Sequence, residues 1–466
     1  MLYGTEIELA TIVLNHGAKQ VPHAVTSNDI TTILERRVPW GMNRIGQFYQ
    51  NGMRAYDDHT HLEISSAECN NLDDMLAEEH AVEAFACALG AASCGEGPDS
   101  FKDLHIYKRA IDSDGNTTGA HESYLLRRSK ELNRYADPKE VFGVLGTFLS
   151  VRNLFAGGGA ITPEGTYSQG QKSYTLRTDY NSTTMDHKPV VNLRDAPLSN
   201  NNKWFRLHVV SGDPNMSPWA LRMKIGTTAL VAELVQHGVR VPTSLRPATG
   251  IVRLARNAAE DIRLENSYLM ANGEEMTIQQ INKALCLFTR QEIQERRDLT
   301  EEDKWVFDTW ADVADNPRRY VRKIDWMLKL KLIESKIGHT MPFVENEDGE
   351  KQYTPLPDDE LEVARDMDMR YTELGDGTIA ANLRKKSWLE DMPKDPEKTT
   401  RFKTSPPQTT RAAARGAFIA AKGWPHRPRG TTWRAKWNTV TSVNGETIMI
   451  DDPTRPTGTT YSDVRL

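Results

Sequence analysis

No stretch of about 18 consecutive apolar residues occurs in this chain of 466 residues, so no helical membrane span is expected. The opening MLYGTEIELATIVL also lacks the positive charge that a secretory leader carries ahead of its apolar run. It carries Glu6 and Glu8 there instead and is not expected to be a signal. Cysteine is scarce: Cys69, Cys87, Cys94 and Cys286 form no CxxC pair, which suits reduced thiols. Together these absences predict a cytoplasmic protein. An excess of one charge is missing too, since 58 basic against 64 acidic residues leave a formal charge of only −6. That balance gives no global reason to expect nucleic acid or an acidic membrane as partner, and neither is expected. There is no Walker-type GxxxxGK[ST]; Gly157-Gly158-Gly159 lacks the following lysine and reads as a plain turn.

What is present is an alternation of strand-like and helix-like segments. Leu2–Leu14 alternates as a strand does, and residues 72–92 carry apolar residues at helical spacing behind Asp73 and Asp74. HIYKRAI, HESYLLRR and WFRLHVV are short β-rich runs bounded by polar turns. MKIGTTALVAELVQHG then predicts a buried helix ending at Gly238, and 277–335 predicts several amphipathic helices. Residues 391–410, rich in Pro, Thr and Lys, read as a linker. An Ala-rich helix over 411–422 follows, and Asn444-Gly445 between two alternating runs predicts a hairpin. The expected organisation is a large α+β domain over 1–395 and a small C-terminal domain over 396–466.

Chemistry gathers on the strands. Glu6 and Glu8 lie two apart, so both side chains leave one face of their strand. NGMRAYDDHTHLEISSAE packs Asp57, Asp58, His59, His61, Glu63 and Glu68 into one short stretch. Counted as a single strand, Asp57, His59, His61 and Glu63 share a face, with Tyr56 and Asp58 on the other. Carboxylate oxygens suit Mg²⁺, and an imidazole can join such a site or hold a phosphate. On two further strands, Glu122 shares a face with Tyr124, and Arg206 shares one with His208, ahead of a turn built on Gly212, Asp213 and Asn215. Four strands bearing these groups predict an antiparallel cradle for metals and a polyphosphate, in which Arg and Mg²⁺ neutralise a transferring phosphoryl group. The basic run RPRGTTWRAKW reads as a solvated face, with contact to nucleotide phosphates or an acidic modifier as the alternative.

Several segments occur here in the order and context of the Pup ligase and Pup deamidase/depupylase family. They are GTEIE, RRVPWG, NGMRAYDDHTHLEISSAEC, GAHESYL, VNLRDAP, RLHVVSGDPNMS, KIGTTALV, IDWMLKLKL and PPQTTRAAARGAF. The chain resembles that family over nearly its whole length. The resemblance implies a fold similar to the carboxylate–amine ligases related to glutamine synthetase. There, an antiparallel β-sheet cradle flanked by helices holds ATP (or ADP) and Mg²⁺, with a small C-terminal α/β domain packed against it. Implied partners are Pup, a disordered protein modifier whose C-terminal glutamate is joined to a lysine, and pupylated target proteins. The family's catalytic aspartate falls on Asp58. Metal-binding roles fall on Glu6, Glu8 and Glu63, and His208 approaches metal or nucleotide. Tyr56, His59, His61, Glu122 and Arg206 are the expected nucleotide and phosphate contacts, with His121, Glu122 and Tyr124 matching the motif HENYL and Ser123 replacing its Asn.

The family runs its chemistry in two directions. The spacing Asp-His-Thr-His-Leu-Glu from Asp58 to Glu63 resembles the depupylase pattern. The short interval between Glu6 and Asp58, together with RRVPWG, AEC, DPNMS and PPQTT, resembles the ligase. With the segment nearest the chemistry weighted most, the expected activity is a depupylase, an isopeptidase cleaving Pup from a target lysine with nucleotide and Mg²⁺ as cofactors. An ATP-dependent Pup ligase working through a glutamyl phosphate is the alternative, and a catalytically weak Pup-binding relative is a third.

Overall fold

The computed structural model describes every residue except 17–22, 37, 97–99, 112–115, 134–136, 185–186, 346–350, 390–394, 426–433 and 462–466. The first part of the basic run RPRGTTWRAKW, residues 427–433, therefore lies outside the described residues. The N-terminal alternation does form a long strand, β1 (Leu2–Leu14), which anchors a largely antiparallel sheet. β2 (His23–Ala24) pairs with its far end. β3 (Arg44–Ile45), β4 (Phe48–Tyr49), β5 (Arg54–Asp58) and β6 (His61–Ser65) extend the sheet on one side of β1. β7 (Asp103–Tyr107) pairs with the second half of β1, and β8 (Ala120–Arg127) with its first half. After two short pairs, β9 (Ala160–Ile161) with β10 (Tyr167–Ser168) and β11 (Thr178–Asn181) with β12 (Pro189–Asn192), β13 (Trp204–Val209) closes the order β13-β8-β1-β6-β5-β4-β3.

One face of this sheet is apolar and covered by helices. Ile7, Leu9, Leu62, Ile64, Leu126, Phe205 and Leu207 are all buried on it. The helix Leu72–Ser93 begins where the Asn71 side chain accepts the Asp74 N–H at 2.8 Å, with Asp73 and Asp74 favourably placed at its positive end. The helix Pro218–Gln236, capped by Ser217 and started by Pro218, is buried almost all round. Gly238 at φ 68 ends the run, a conformation that L side chains rarely adopt. The helices Ile278–Gln294, Glu301–Asp315 and Asp325–Ile337 supply the amphipathic region. Among the described residues no helix is long and apolar enough to cross a membrane.

The linker expectation needs correction. Within 391–410, residues Pro396–Phe402 form a helix started by Asp395, whose side chain accepts the Lys398 N–H. The Thr409 and Thr410 hydroxyls then donate to the Asn70 side chain and the Glu68 carbonyl. A run of Pro, Thr and Lys reads as solvated because each residue is polar or rigid, yet here those groups are used to staple the chain to the sheet. Arg411–Lys422 is helical as expected, and the Asn444-Gly445 turn joins paired strands with Gly445 at φ 83. Phe418, Ile419, Val440, Ile448 and Ile450 share a small core with Ile45 and Phe48, so the C-terminal elements pack onto the edge of the sheet.

An ion pair holds that joint. Glu68, in the segment just after β6, accepts from Arg415 at 2.5 Å and from Arg411 at 2.7 Å, and the Arg415 side chain is fully buried. Burial alone would raise the Glu68 carboxyl, but the two guanidinium groups hold it at about 2. Because its folded value lies below the ordinary 4.5, the pair's contribution is complete above about pH 4.5 and disappears as pH falls toward 2. Glu68→Gln is expected to lower unfolding stability by about 3–5 kcal/mol at neutral pH, since it leaves a buried guanidinium unpaired. It should also flatten the acid limb of the stability curve between about pH 4.5 and pH 2. Equal acid limbs in urea titrations of both proteins would refute this.

Candidate functional site

The other face of the sheet carries the polar groups, and its register decides which of them meet. Glu8 stands opposite Glu63 and Glu6 opposite Ser65 across β1 and β6. Glu6 also faces His121 on β8, while Ser123 faces His208 on β13. In the β5–β6 hairpin, Tyr56 pairs with Glu63 and Asp58 with His61. Directly paired residues project from the same face. Glu6, Glu8, Tyr56, Asp58, His61, Glu63, His121, Arg206 and His208 are therefore brought to one surface.

Asp57 is not on it, which corrects the single-strand parity. His59 and Thr60, with φ of 48 and 73, form a two-residue turn between β5 and β6. A two-residue turn pairs the residues flanking it, so Asp58 and His61 share a face although they lie three apart. Asp57 faces Leu62 on the reverse side, where its carboxylate accepts the Thr60 N–H at 3.1 Å and steadies this left-handed pair. His59 sits exposed on the turn, its Nδ1 3.0 Å from Asp58 Oδ1.

Glu122 is likewise on the reverse face, buried beneath the sheet. Its carboxylate accepts from Arg152 at 2.7 and 2.9 Å and from the Tyr124 hydroxyl at 2.6 Å. All its strong acceptor sites are thus committed within the core, away from the surface where a phosphate would lie. The alternation that put Glu122 with Tyr124 was right, but nothing in the sequence showed which face was buried. Gly157–Gly159 is an interior turn as expected: the Gly158 N–H meets Asp213, and the Gly159 carbonyl accepts from Lys329.

Among the described residues two clusters on the polar surface bring possible metal ligands together. The ligand atoms of Glu6, His121 and His208 lie within 4.8 Å of one another, and so do those of Glu8, Asp58 and Glu63. His121 Nδ1 is 3.6 Å and Arg206 3.6 Å from the Glu6 carboxylate. Burial would raise Glu6, but the His121 hydrogen bond and the positive field of His208 and Arg206 hold it at about 2. Glu63 behaves oppositely: burial and the charges of Glu6, Glu8 and Asp58 push it up to about 8, against a hydrogen bond with Tyr56. Such crowding of carboxylates fits a divalent cation, and oxygen donors suit Mg²⁺. Among the described residues the Nδ1 of His208 and of His61 are buried without a hydrogen-bond partner, as are Arg206 Nε and Ser123 Oγ, although His61 Nδ1 lies 3.8 Å from the Glu8 carboxylate.

Beside Glu6 a cleft runs from Ser66 and Arg206 to Arg411, Trp437 and Pro453, bringing the C-terminal elements to the sheet face. One group on this face was not singled out from the sequence, and one was read differently. Arg54 lies two residues before Tyr56, so its place on this face was available from parity; its guanidinium stacks 3.9 Å from the Tyr56 ring centroid. Trp437 closes the basic run that reads from the sequence as a solvated face; here it lines the cleft instead, because its position depends on contacts with Phe48 and Arg415.

An antiparallel sheet whose polar face gathers acids, histidines and arginines beside such a cleft is the architecture expected of the glutamine-synthetase-like carboxylate–amine ligases. A family model described as Pup-ligase protein matches residues 11–441, and the chain belongs to that family. It is 31% identical to the Pup–protein ligase of Acidimicrobium ferrooxidans, over 97% of this chain and 95% of that one. It is 28% identical to the Pup–protein ligase of Mycolicibacterium smegmatis, over 90% and 89%. Its fold matches the Pup ligase PafA solved in complex with Pup (TM-score 0.76, 23% identity, 98% of this chain and 90% of that one). It also matches PafA solved in complex with ADP (TM-score 0.70, 24% identity, 95% and 93%).

These findings overturn the expected isopeptidase activity, since the curated relatives that match nearly end to end are ligases. The structural reason lies in the spacing that suggested cleavage. The interval from Asp58 to Glu63 is set by a two-residue turn, while the ladder pairs fix where both carboxylates point. Its length therefore reports turn type rather than the direction of reaction.

Gly119 offers a test of the carboxylate geometry. Its backbone carbonyl accepts the Glu8 N–H, and a Cβ built there would fall 2.3 Å from Glu8 Oε1. Because the obstructing atom is the end of a flexible side chain, Gly119→Ala should leave the melting temperature nearly unchanged but displace the Glu8 carboxylate. Activity is expected to fall by about 100-fold, as for misplacements near 1 Å. A variant with full activity would show that Glu8 need not stand where it does.

Proposed function

We propose that this protein is an ATP-dependent ligase that joins the side-chain carboxylate of the C-terminal glutamate of Pup to a lysine of a target protein. The observation that carries this reading is the 31% identity to a Pup–protein ligase over 97% of the chain. The acidic sheet face supports it, as does the likeness in fold to a ligase bound to ADP.

In this reading Glu6, His121 and His208 hold one divalent cation and Glu8, Asp58 and Glu63 border a second, with Mg²⁺ the fitting ion. Nucleotide and cation, when bound, supply the phosphoryl group that makes the glutamate carboxylate a good acyl donor and neutralise its charge. The rest falls to the chain. Arg206, on the cleft wall beside Glu6, attracts the anionic groups, and Tyr56 orients Glu63. His61, with Nδ1 3.8 Å from Glu8, steadies that carboxylate. Asp58 sits at the open end of the hairpin with 39% of its side chain exposed, where an incoming lysine can reach it. A lysine ammonium has no lone pair, so it must lose a proton before attack, and the Asp58 carboxylate is the base that receives it. His59 keeps Asp58 oriented through its 3.0 Å contact.

Mixed with Pup, ATP, Mg²⁺ and a lysine-bearing protein, the wild-type chain is expected to add the mass of Pup less water to that protein. Asp58→Asn should lower conjugation by about 100- to 10,000-fold, the range for loss of a general base, while ATP binding measured by calorimetry changes little. Full conjugation by Asp58→Asn would remove Asp58 from this role. No conjugation by the wild-type chain would refute the ligase reading.

A further inference from the structure

Arg206 and Arg54 stand on the acidic face on opposite sides of Glu6. Arg206 reaches over from β13, 3.6 Å from the Glu6 carboxylate. Arg54 pairs with Ser65 across β5 and β6, and Ser65 pairs with Glu6 across β6 and β1, so these three lie in one cross-strand row. At the usual strand spacing of about 4.8 Å, the Arg54 backbone is two strands, or roughly 10 Å, from that of Glu6. Its guanidinium is held in a defined plane. The central carbon lies 3.9 Å from the Tyr56 ring centroid and 5.7 Å from that of Phe48. Nε and Nη2 both donate to Gln47 Oε1, at 3.0 and 2.6 Å. Those two bonds use one edge of the plane and leave Nη1 without a hydrogen bond among the described residues.

The acceptor is itself anchored. Gly46, at φ 61, and Gln47 make the two-residue turn between β3 and β4, flanked by the paired Ile45 and Phe48. The Gln47 carbonyl accepts the Ala55 N–H at 3.0 Å, which ties the turn to the residue beside Arg54. Both oxygens of Gln47 are therefore spent on β5, the backbone one on Ala55 and the side-chain one on Arg54. The chemistry of the acceptor matters as much as its place. A carboxylate at this position would orient the guanidinium and also neutralise it. A neutral amide orients it and leaves its charge for a ligand.

We propose that Gln47 is a positioning residue that holds Arg54 flat against Tyr56 before the nucleotide arrives, so that Nη1 and an undiminished positive charge meet an anionic oxygen of that nucleotide. Arginine is costly to immobilise, because its long side chain gives up many rotamers when a ligand fixes it. Stacking on Tyr56 removes part of that freedom, and the two bonds to Gln47 remove most of the rest. The nucleotide then meets an ordered donor on the β5 side of the Glu6 row and Arg206 on the β13 side. Gln47 touches neither nucleotide nor cation in this arrangement and acts through Arg54 alone.

The inference rests on the nucleotide-binding reading of this face. ATP binding with Mg²⁺ present, measured by calorimetry on the full chain without Pup, tests it in four proteins: wild type, Gln47→Ala, Arg54→Ala and the double variant. Gln47 is an exposed turn residue, so its replacement should leave the chain folded. Gln47→Ala is expected to weaken ATP binding about 2- to 10-fold, the cost of ordering one long side chain. In the Arg54→Ala background the same change is expected to add nothing. An equal loss in both backgrounds overturns the positioning role, because Gln47 would then act through the turn and not through the arginine. Unchanged affinity in Gln47→Ala or in Arg54→Ala overturns it as well. No ATP binding by the wild-type chain overturns the nucleotide reading of the face, and this inference with it.

Discussion

Glu8 and Glu63 face each other across paired strands, with Glu6 and Asp58 close by, and this forced meeting of like charges is the constraint around which the rest is arranged. Two carboxylates about 5 Å apart repel by roughly 3 kcal/mol at an effective dielectric near 20. What holds them is on the reverse side of the same strands, where Ile7, Leu9, Leu62 and Ile64 are buried. Each contributes about 1.5–3 kcal/mol, so packing outweighs the repulsion. A slip of one residue would bury the acids and expose those apolar groups, and the register cannot relax. The raised Glu63 carboxyl is the visible result, and a cation arriving at this face is the relief that folding leaves open.

The C-terminal elements depend on the same strands. Glu68 lies just after β6 and receives Arg411 and Arg415, and those arginines sit on the helix that carries Phe418 and Ile419 into the edge core. The cleft between Arg206 and Trp437 therefore has one wall fixed by the sheet register and the other by a buried ion pair. Such a pair costs desolvation and is weak as a source of stability, but its geometry is demanding and it fixes how the two walls meet. In the proposed reaction that fixed spacing is what places a nucleotide against the acidic face.

The strands and most helices could be read from the sequence because period and cap residues encode them locally. Glu6 and Glu8 were assigned to one face by alternation alone, and they are on one face. The hairpin defeated the same rule. His59 and Thr60 are poor residues for left-handed turn positions, so DDHTH reads as continuing strand, and Asp57 was grouped with Glu63 in place of Asp58. Glu122 failed differently, because alternation tells which residues share a face but not which face is covered. Arg152, which neutralises Glu122, is 30 residues away in sequence. Residues 391–410 looked like linker since their hydroxyl groups are polar, and only the fold supplies Asn70 and the Glu68 carbonyl as partners.

The same reasoning explains why the segment nearest the chemistry was the least informative about its direction. Forming the bond by aminolysis of a glutamyl phosphate and breaking it by hydrolysis use different transition states, but both need a base and charge neutralisation beside the same carbonyl, so these carboxylates do not by themselves set the direction. Asp58 would accept a proton from lysine in one and activate an attacking group in the other without moving. The distance along the chain from Asp58 to Glu63 adds nothing, because the ladder holds both side chains whatever turn joins the strands. Direction has to come from what else the protein holds in place, above all the nucleotide that makes formation favourable. In the proposed reaction, the cleft beside Glu6 and the joint formed by Glu68, Arg411 and Arg415 are the part of the chain that would serve it. The motifs AEC and PPQTT, which resemble the ligases, fall at that joint, so the more distant part of the sequence was the better guide.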